Sequence, residues 1–169
     1  MFSKIVNFSK TTILIIGALL SLEFLFSTMK DNPMSEFSLI ISILIIVFIY
    51  IKANNFRVHH YDGTMKFGQA FSYIFQVYIF GAILNSLVIF LYTQFYNPAP
   101  LEIVKDSTIK MYESMNIKID DLTYNMFTVL YKPAPFAFVM LFSSVLSGCF
   151  WGLILAAFVK KDKDILSQQ

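Results

Sequence analysis

Long blocks of apolar residues dominate the chain, in place of an alternation of apolar and polar positions. Four such blocks lie at residues 11–29, 35–53, 70–92 and 136–159. A helix rises about 1.5 Å per residue and the hydrocarbon core of a bilayer is about 30 Å thick, so roughly 20 apolar residues suffice for one crossing. Because backbone polar groups in lipid must pair within their own segment, each block is predicted to be a transmembrane helix. We number these helices spans 1 to 4.

The predicted fold class is therefore an all-α membrane protein, with residues 1–169 forming a single integral membrane domain. Composition supports this class, because 57% of the residues are hydrophobic, only 14% are charged and the mean hydropathy is +0.65. Span 1 follows two lysines, as a secretory signal peptide does, but it is long for one and no small-x-small cleavage motif follows it. We expect it to remain as a transmembrane helix.

The segment 97–135 between spans 3 and 4 is flanked by proline pairs, which end helices. Apolar residues inside it recur near helical spacing, and Asp120 or Asp121 is placed to cap a second helix. We predict two amphipathic helices joined at 116–119. Their apolar faces lie on the membrane surface, fold against each other or meet a protein partner, and packing without a partner is favoured.

The positions of the thirteen basic residues predict the orientation. Eight fall on one side of the predicted membrane: Lys4, Lys10, Lys52, Arg57, Lys66, Lys160, Lys161 and Lys163. The other five lie on the opposite side, mostly in 97–135 among acidic residues. By the positive-inside rule, both termini are cytoplasmic and the segment 97–135 is outside.

Several features occur in an order that resembles a known family. They are two helices, a polar link, the Phe67-Gly68-Gln69-Ala70-Phe71 entry to span 3, a helical insert ending near proline, a glycine-bearing span 4 and a terminal lysine run. In this the chain resembles the domain of unknown function 4199 family of small Bacteroidota membrane proteins. The resemblance implies a four-helix architecture, a bacterial inner (cytoplasmic) membrane and a periplasmic 97–135. It implies no activity and no catalytic residue.

Span 4 carries a ridge of small residues, because Ser144, Gly148, Gly152 and Ala156 recur every four positions. Such ridges let helix backbones approach closely. The favoured interpretation is packing against span 1, 2 or 3 within one chain. The alternative is a homo-oligomer that forms through this helix.

One carboxylate, Glu23, lies inside span 1, where a bare charge costs at least about 2.5 kcal/mol. Counting equal depths in the other spans places Ser42, Asn85, and Ser143 or Ser144 in the same layer. We predict that Glu23 hydrogen-bonds to Asn85 or a serine. The layer is interpreted as a structural clasp between helices, as a proton-coupled or ligand-binding group in a small cavity, or as an interface to another subunit.

The basic residues that follow spans 2 and 4 are predicted to contact anionic lipid headgroups. These residues are Lys52, Arg57, Lys66, Lys160, Lys161 and Lys163. The nearby His59, His60 and Asp62 lack a fourth ligand and a standard spacing, and Asp-Gly is first a turn signal, so no metal and no cofactor is predicted.

No phosphate-binding loop, zinc-protease helix, nucleophile elbow or cysteine pair occurs, so an enzyme is not expected. Nucleic-acid binding is not expected either, because the basic residues lie where the topology needs them. Two functions remain. The favoured one is a non-catalytic scaffold or accessory protein whose helical pair in 97–135 and small-residue ridge on span 4 recognise partner proteins or a second copy of the chain. The alternative is a small proton-coupled transporter or channel subunit that uses Glu23 and Asn85, and a cavity at Glu23 in place of dry packing would favour it.

Overall fold

The structure is a computed structural model that describes residues 2–28 and 36–161, with side chains described from residue 8 onward. The described residues form six helices and no strand. These are α1 Phe2–Ser27, α2 Phe37–Tyr61, α3 Phe67–Phe95, α4 Ala99–Ser114, α5 Asp121–Leu130 and α6 Pro133–Val159. Four of them, α1, α2, α3 and α6, are long and apolar enough to cross a membrane. The predicted all-α membrane fold class is thereby confirmed.

The helices extend beyond the predicted spans because the end of an apolar block is not the end of a helix. α2 continues eight residues past position 53 and stops where Asp62 adopts a left-handed conformation with φ 49°, followed by Gly63 with φ 80°. α6 begins at Pro133, three residues before position 136, since proline fits the first turn of a helix. At the start of α3, the side chain of Gln69 accepts a hydrogen bond from the Lys66 backbone N–H at 3.0 Å.

α3 is the central helix of the bundle. It packs along both α1 and α6, and α1 packs against α2, whereas α2 has few contacts with α3 or α6. The four long helices therefore form an arc in the order α2, α1, α3, α6. We call the end of the bundle that holds residues 57–66 and 159–161 the basic end, and the end that holds residues 97–132 the insert end.

The crossing of α1 and α3 is close because both helices have glycine there. A Cβ on Gly81 would lie 2.6 Å from Cγ2 of Ile16, and one on Gly17 would lie 2.9 Å from Cβ of Leu84. Real carbon atoms do not approach so closely, so glycine is required for this helix separation. Towards the basic end, the core also contains Phe56 and Tyr73, whose rings stack at 4.3 Å between centroids.

At the insert end, α4 and α5 form the predicted helical pair, joined through Asn116 in a left-handed conformation with φ 55°. The two helices fold against each other: the rings of Tyr112 and Phe127 meet edge to face at 5.5 Å, and the hydroxyls of Thr108 and Tyr131 lie 2.7 Å apart. Asp120 caps α5 by accepting from the Thr123 N–H at 2.9 Å. The prediction of two helices with an aspartate cap is confirmed.

Candidate functional site

The intramembrane carboxylate is hydrogen-bonded between two helices. The hydroxyl of Ser42 on α2 donates to the carboxyl oxygen Oε1 of Glu23 on α1, and the same hydroxyl lies 3.0 Å from the Ser38 carbonyl oxygen of its own helix. Glu23 is half-buried, and it forms no ion pair with any residue that the structure describes. The carboxyl group is thus held by a neutral partner, one of the serines considered from the sequence.

A cavity of about 310 Å³ lies beside this hydrogen bond. All five residues of the predicted polar layer line it, namely Glu23, Ser42, Asn85, Ser143 and Ser144. The space equals the liquid volume of about ten water molecules, and the polar lining gives water hydrogen-bonding partners. The depth count from the sequence therefore located residues that the fold brings around one space.

Asn85 is the buried polar group of this cavity. Its side chain is only 4% exposed, and its amide oxygen Oδ1 has no hydrogen-bond partner among the described residues. A buried amide oxygen without a partner costs about 1–3 kcal/mol. This oxygen has almost no accessible surface, so Asn85 contacts the cavity through other atoms of its side chain.

A second, smaller cavity of about 120 Å³ continues from Glu23 towards α6. Ser42, Tyr78, Ser147 and Trp151 line it together with Glu23. The side chains of Tyr78 and Ser147 are hydrogen-bonded to each other. Glu23 and Tyr78 are the titratable groups among the residues that line the two cavities, and no cationic side chain is among them.

The mouth of the larger cavity is bordered by three helices. Of its lining residues, Ser27 at the end of α1, Leu39 of α2 and Ser143 of α6 are exposed. The cluster of buried residues at the insert end includes Phe24, Ile89 and Phe136 but none from α2. α2 thus stands apart from α6 at this depth, so in a membrane the opening borders lipid on that side and reaches the end of α1 at Ser27.

Sequence reasoning missed several residues of the site, among them Ser27, Ser38, Tyr78, Ser147 and Trp151. A helical repeat could have found three of them. Ser27 and Ser38 lie four positions from Glu23 and Ser42 in the chain, and Ser147 lies four positions after Ser143. Tyr78 and Trp151 carry no such signal, because aromatic residues are frequent throughout the helices.

The sequence profile of a family described as "Protein of unknown function (DUF4199)" matches residues 11–161. The match covers α1 from residue 11 onward, the other helices, the insert and the residues that line both cavities. The chain belongs to the DUF4199 family. No curated protein matches the chain. No solved structure matches it either.

In this DUF4199 member, the ridge of small residues on α6 packs against α3 of the same chain. A Cβ on Gly148 would lie 2.6 Å from Cδ1 of Tyr78, and one on Gly152 would lie 3.2 Å from Cε2 of Phe71. Ala156 is fully buried and Ser144 lines the cavity. The favoured interpretation of packing within one chain agrees with these contacts. A homo-oligomer through α6 stays a prediction, and it would need the opposite, exposed face of the helix.

The basic residues at the basic end of this DUF4199 chain differ in their contacts and exposure. Arg57 donates from Nη1 to the Val159 carbonyl oxygen at 2.6 Å, so it holds the end of α6, where a cation is favourable. The Lys161 backbone pairs with Met65. Lys66, Lys160 and Lys161 are exposed, Lys52 lies 5.3 Å from the Phe48 ring, and Lys163 lies outside the described residues.

The two histidines at the basic end contact neighbouring groups. Nδ1 of His59 lies 2.8 Å from the Asn55 carbonyl oxygen, and the His60 ring stacks on Phe56 at 4.6 Å. Within the described residues, no group of three His, Cys, Asp or Glu side chains is arranged to hold a metal ion.

Proposed function

We propose that the chain is a non-catalytic membrane protein that binds a small solute beside Glu23, as a proton-coupled transporter or channel subunit. The cavity carries this proposal. A structural clasp needs a carboxyl group packed against its partner with little space around it, whereas Glu23 and Asn85 face a space of about 310 Å³.

In this function, Glu23 exchanges a proton as the solute enters or leaves, and Ser42 keeps the carboxyl group oriented across the α1 and α2 interface. Asn85 contributes a polar side chain of the central helix to the lining. The incomplete contact between α2 and α6 supports a role in which these helices move relative to each other. A single chain provides only a thin wall around a path, so this function favours an oligomer.

We further propose the cellular setting that the charge distribution supports. The protein lies in a bacterial inner membrane, with both termini in the cytoplasm and residues 97–135 in the periplasm. The exposed lysines of the basic end then contact anionic headgroups of the inner leaflet, each worth about 1 kcal/mol near the surface.

Water access to the cavity tests the proposed function. In a Cys149→Ala background, Ser42→Cys and Ser143→Cys place single thiols in the cavity, because Cys149 is the one cysteine of the chain. Ile43→Cys and Leu146→Cys are matched controls on exposed, apolar positions of the same helices. The reagent is methanethiosulfonate ethyltrimethylammonium, which is permanently charged and attacks the thiolate, so it needs a hydrated site.

We expect the two cavity thiols to react at least about tenfold faster than the two lipid-facing controls in protein reconstituted into nanodiscs, because thiols in lipid stay protonated. If neither cavity thiol reacts faster than its control, the carboxyl layer is dry and the proposed function is wrong.

A scaffold or accessory role is the second candidate, and the surface of α4 and α5 favours it. Large apolar side chains there stay exposed, including Met111 at 49%, Leu122 at 71% and Met126 at 57%. If this surface binds a protein partner, Met126→Glu is expected to reduce the size of the native complex that contains the chain. Asn125→Glu, at an exposed position of the same helix, is the control. An unchanged size for Met126→Glu argues against a scaffold role for this surface.

A further inference from the structure

We infer that the solute of this cavity is a small organic cation, a protonated amine with an apolar part, which enters sideways from the bilayer between α2 and α6. This inference rests on the proposed function and adds the chemical class of the ligand and its route. It comes from the identity of the polar atoms in the cavity, the rings beside them and the position of the mouth.

The polar group that awaits a charged partner is an acceptor. Glu23 provides a carboxyl group without a cationic neighbour among the described residues. The described lining also has no Lys, Arg or His that would attract an anion. An ammonium group brings a positive charge and up to three N–H donors, which fits one carboxylate and the hydroxyl oxygens beside it.

Serine hydroxyls provide further hydrogen-bond acceptors around Glu23. Ser42 already donates to Glu23, so its remaining capacity is to accept. Ser143 and Ser144 lie on the α6 side of the same space. A ligand ammonium near Glu23 therefore lies among side chains with oxygen atoms on α1, α2 and α6.

Aromatic rings lie beside the carboxyl group. Phe24 lines the larger cavity, Trp151 lines the smaller one and Tyr78 lines both. Aromatic faces attract cations and also pack against apolar groups, with Trp the strongest. A bare sodium ion would use the oxygen atoms but not these rings, whereas an amine with an apolar part would use both.

The route follows from the mouth between Leu39 and Ser143. On this side the opening borders lipid, and the exposed Ser27 at the end of α1 marks where water reaches it. An amphipathic amine partitions into the bilayer with its apolar part and arrives beside the lipid-facing side of the mouth already partly desolvated. Such an amine therefore has a lateral route to Glu23 in addition to the aqueous one.

Binding of benzylamine, followed by the fluorescence of Trp151, tests this inference. Trp151 is the one tryptophan of the chain and lines the cavity that contains Glu23, so its emission reports on occupancy. The full chain in nanodiscs is titrated at neutral pH with benzylamine, with its neutral analogue benzyl alcohol, with benzoate and with sodium chloride. The variants are Glu23→Gln and, as a matched control, Glu102→Gln, which removes an exposed carboxylate of α4.

We expect benzylamine to give a saturable change, and Glu23→Gln to weaken its apparent affinity by about tenfold or more, as expected for loss of a charge-assisted hydrogen bond. Glu102→Gln should leave the affinity unchanged, and benzyl alcohol and benzoate should give no saturable change. A saturable response to sodium that competes with benzylamine would assign the site to inorganic cations and overturn the organic class. Equal responses to benzylamine and benzyl alcohol, or no effect of Glu23→Gln, would overturn the inference altogether.

The hydrated cavity and the cationic class of its ligand are tested separately. If Ser42→Cys and Ser143→Cys react with the charged reagent but benzylamine binds no better than benzyl alcohol, the hydrated cavity stands and the cation class is wrong. If the thiols are unreactive, the proposed function fails first. Entry through the lateral side of the mouth is tested by Ser143→Phe, which keeps Trp151 as the one tryptophan and should slow benzylamine binding, whereas an unchanged rate would overturn this route.

Discussion

Ser42 on α2 donates its hydroxyl hydrogen to the carboxyl group of Glu23 on α1, and this bond joins two neighbouring helices beside a cavity. The energetic value of the bond depends on what fills that cavity. If water is present, it replaces a lost hydroxyl partner, whereas in a dry layer the carboxyl group would be left without one.

Replacing Ser42 by alanine is therefore expected to cost little, about 1 kcal/mol or less of the free energy of unfolding. Ser9→Ala is the matched control, because the fully buried Ser9 donates to the Tyr73 hydroxyl at 3.2 Å inside the packed core. We expect that control to cost about 1–3 kcal/mol. Unfolding in mixed micelles with rising dodecyl sulfate measures both. A larger cost for Ser42→Ala than for Ser9→Ala would indicate a dry carboxyl layer.

Gly148 sets the distance between α6 and α3. Gly148→Ala places a methyl group 2.6 Å from Cδ1 of the buried Tyr78 ring, which must shift, so we expect a loss of about 1–3 kcal/mol in the same unfolding measurement. Gly68→Ala is the control, since nothing lies within 4 Å of its added Cβ and a change within about 0.5 kcal/mol is expected. Equal stability of the two variants would show that the ridge does not fix this helix pair.

Asp120 makes the stability of α5 depend on pH. The Thr123 hydroxyl and then its backbone N–H hold the pKa of this carboxyl below its ordinary value. A carboxyl with a lowered pKa in the folded state stabilises the helix above its unfolded pKa, and this contribution is lost as the pH falls through the lowered value. Hydrogen exchange of the α5 amides should accelerate, relative to the intrinsic rate, on going from pH 6 to pH 3.

Asparagine is also a good helix cap, so Asp120→Asn should keep α5 and abolish this pH dependence. Asp106→Asn, which changes an exposed carboxylate of α4, should leave the dependence intact. The cap assignment fails if the Asp120 variant retains the acceleration at low pH.

The number and approximate positions of the helices could be predicted from the sequence, because long apolar blocks and prolines are local signals. The sequence was also sufficient for the polar layer, since depth in a membrane follows from counting along straight helices, and this brought Glu23, Ser42 and Asn85 together. It was insufficient for helix boundaries: α2 runs to Tyr61 because a helix continues past the membrane until a residue such as Asp62 stops it. The apolar block ends at residue 53, eight residues before the helix does.

The partner of the α6 ridge could not be predicted either. Small residues indicate that another helix approaches closely, but they do not indicate which helix. Gly148 packs against Tyr78 of α3, seventy positions earlier in the chain. The same holds for the cavity. Its existence depends on how far α2 stands from α6, which is a property of tertiary packing and not of any pattern within one helix.

The orientation across the membrane is the remaining prediction, and single thiols in a Cys149→Ala background test it. Lys118→Cys places a thiol in the exposed turn between α4 and α5, and His60→Cys places one on the exposed final turn of α2. In spheroplasts, an impermeant maleimide should label position 118 at once and position 60 only after the membrane is permeabilised, because the excess of basic residues near position 60 keeps that side in the cytoplasm. The reverse pattern would invert the topology and place the exposed lysines of the basic end outside, away from the anionic inner leaflet.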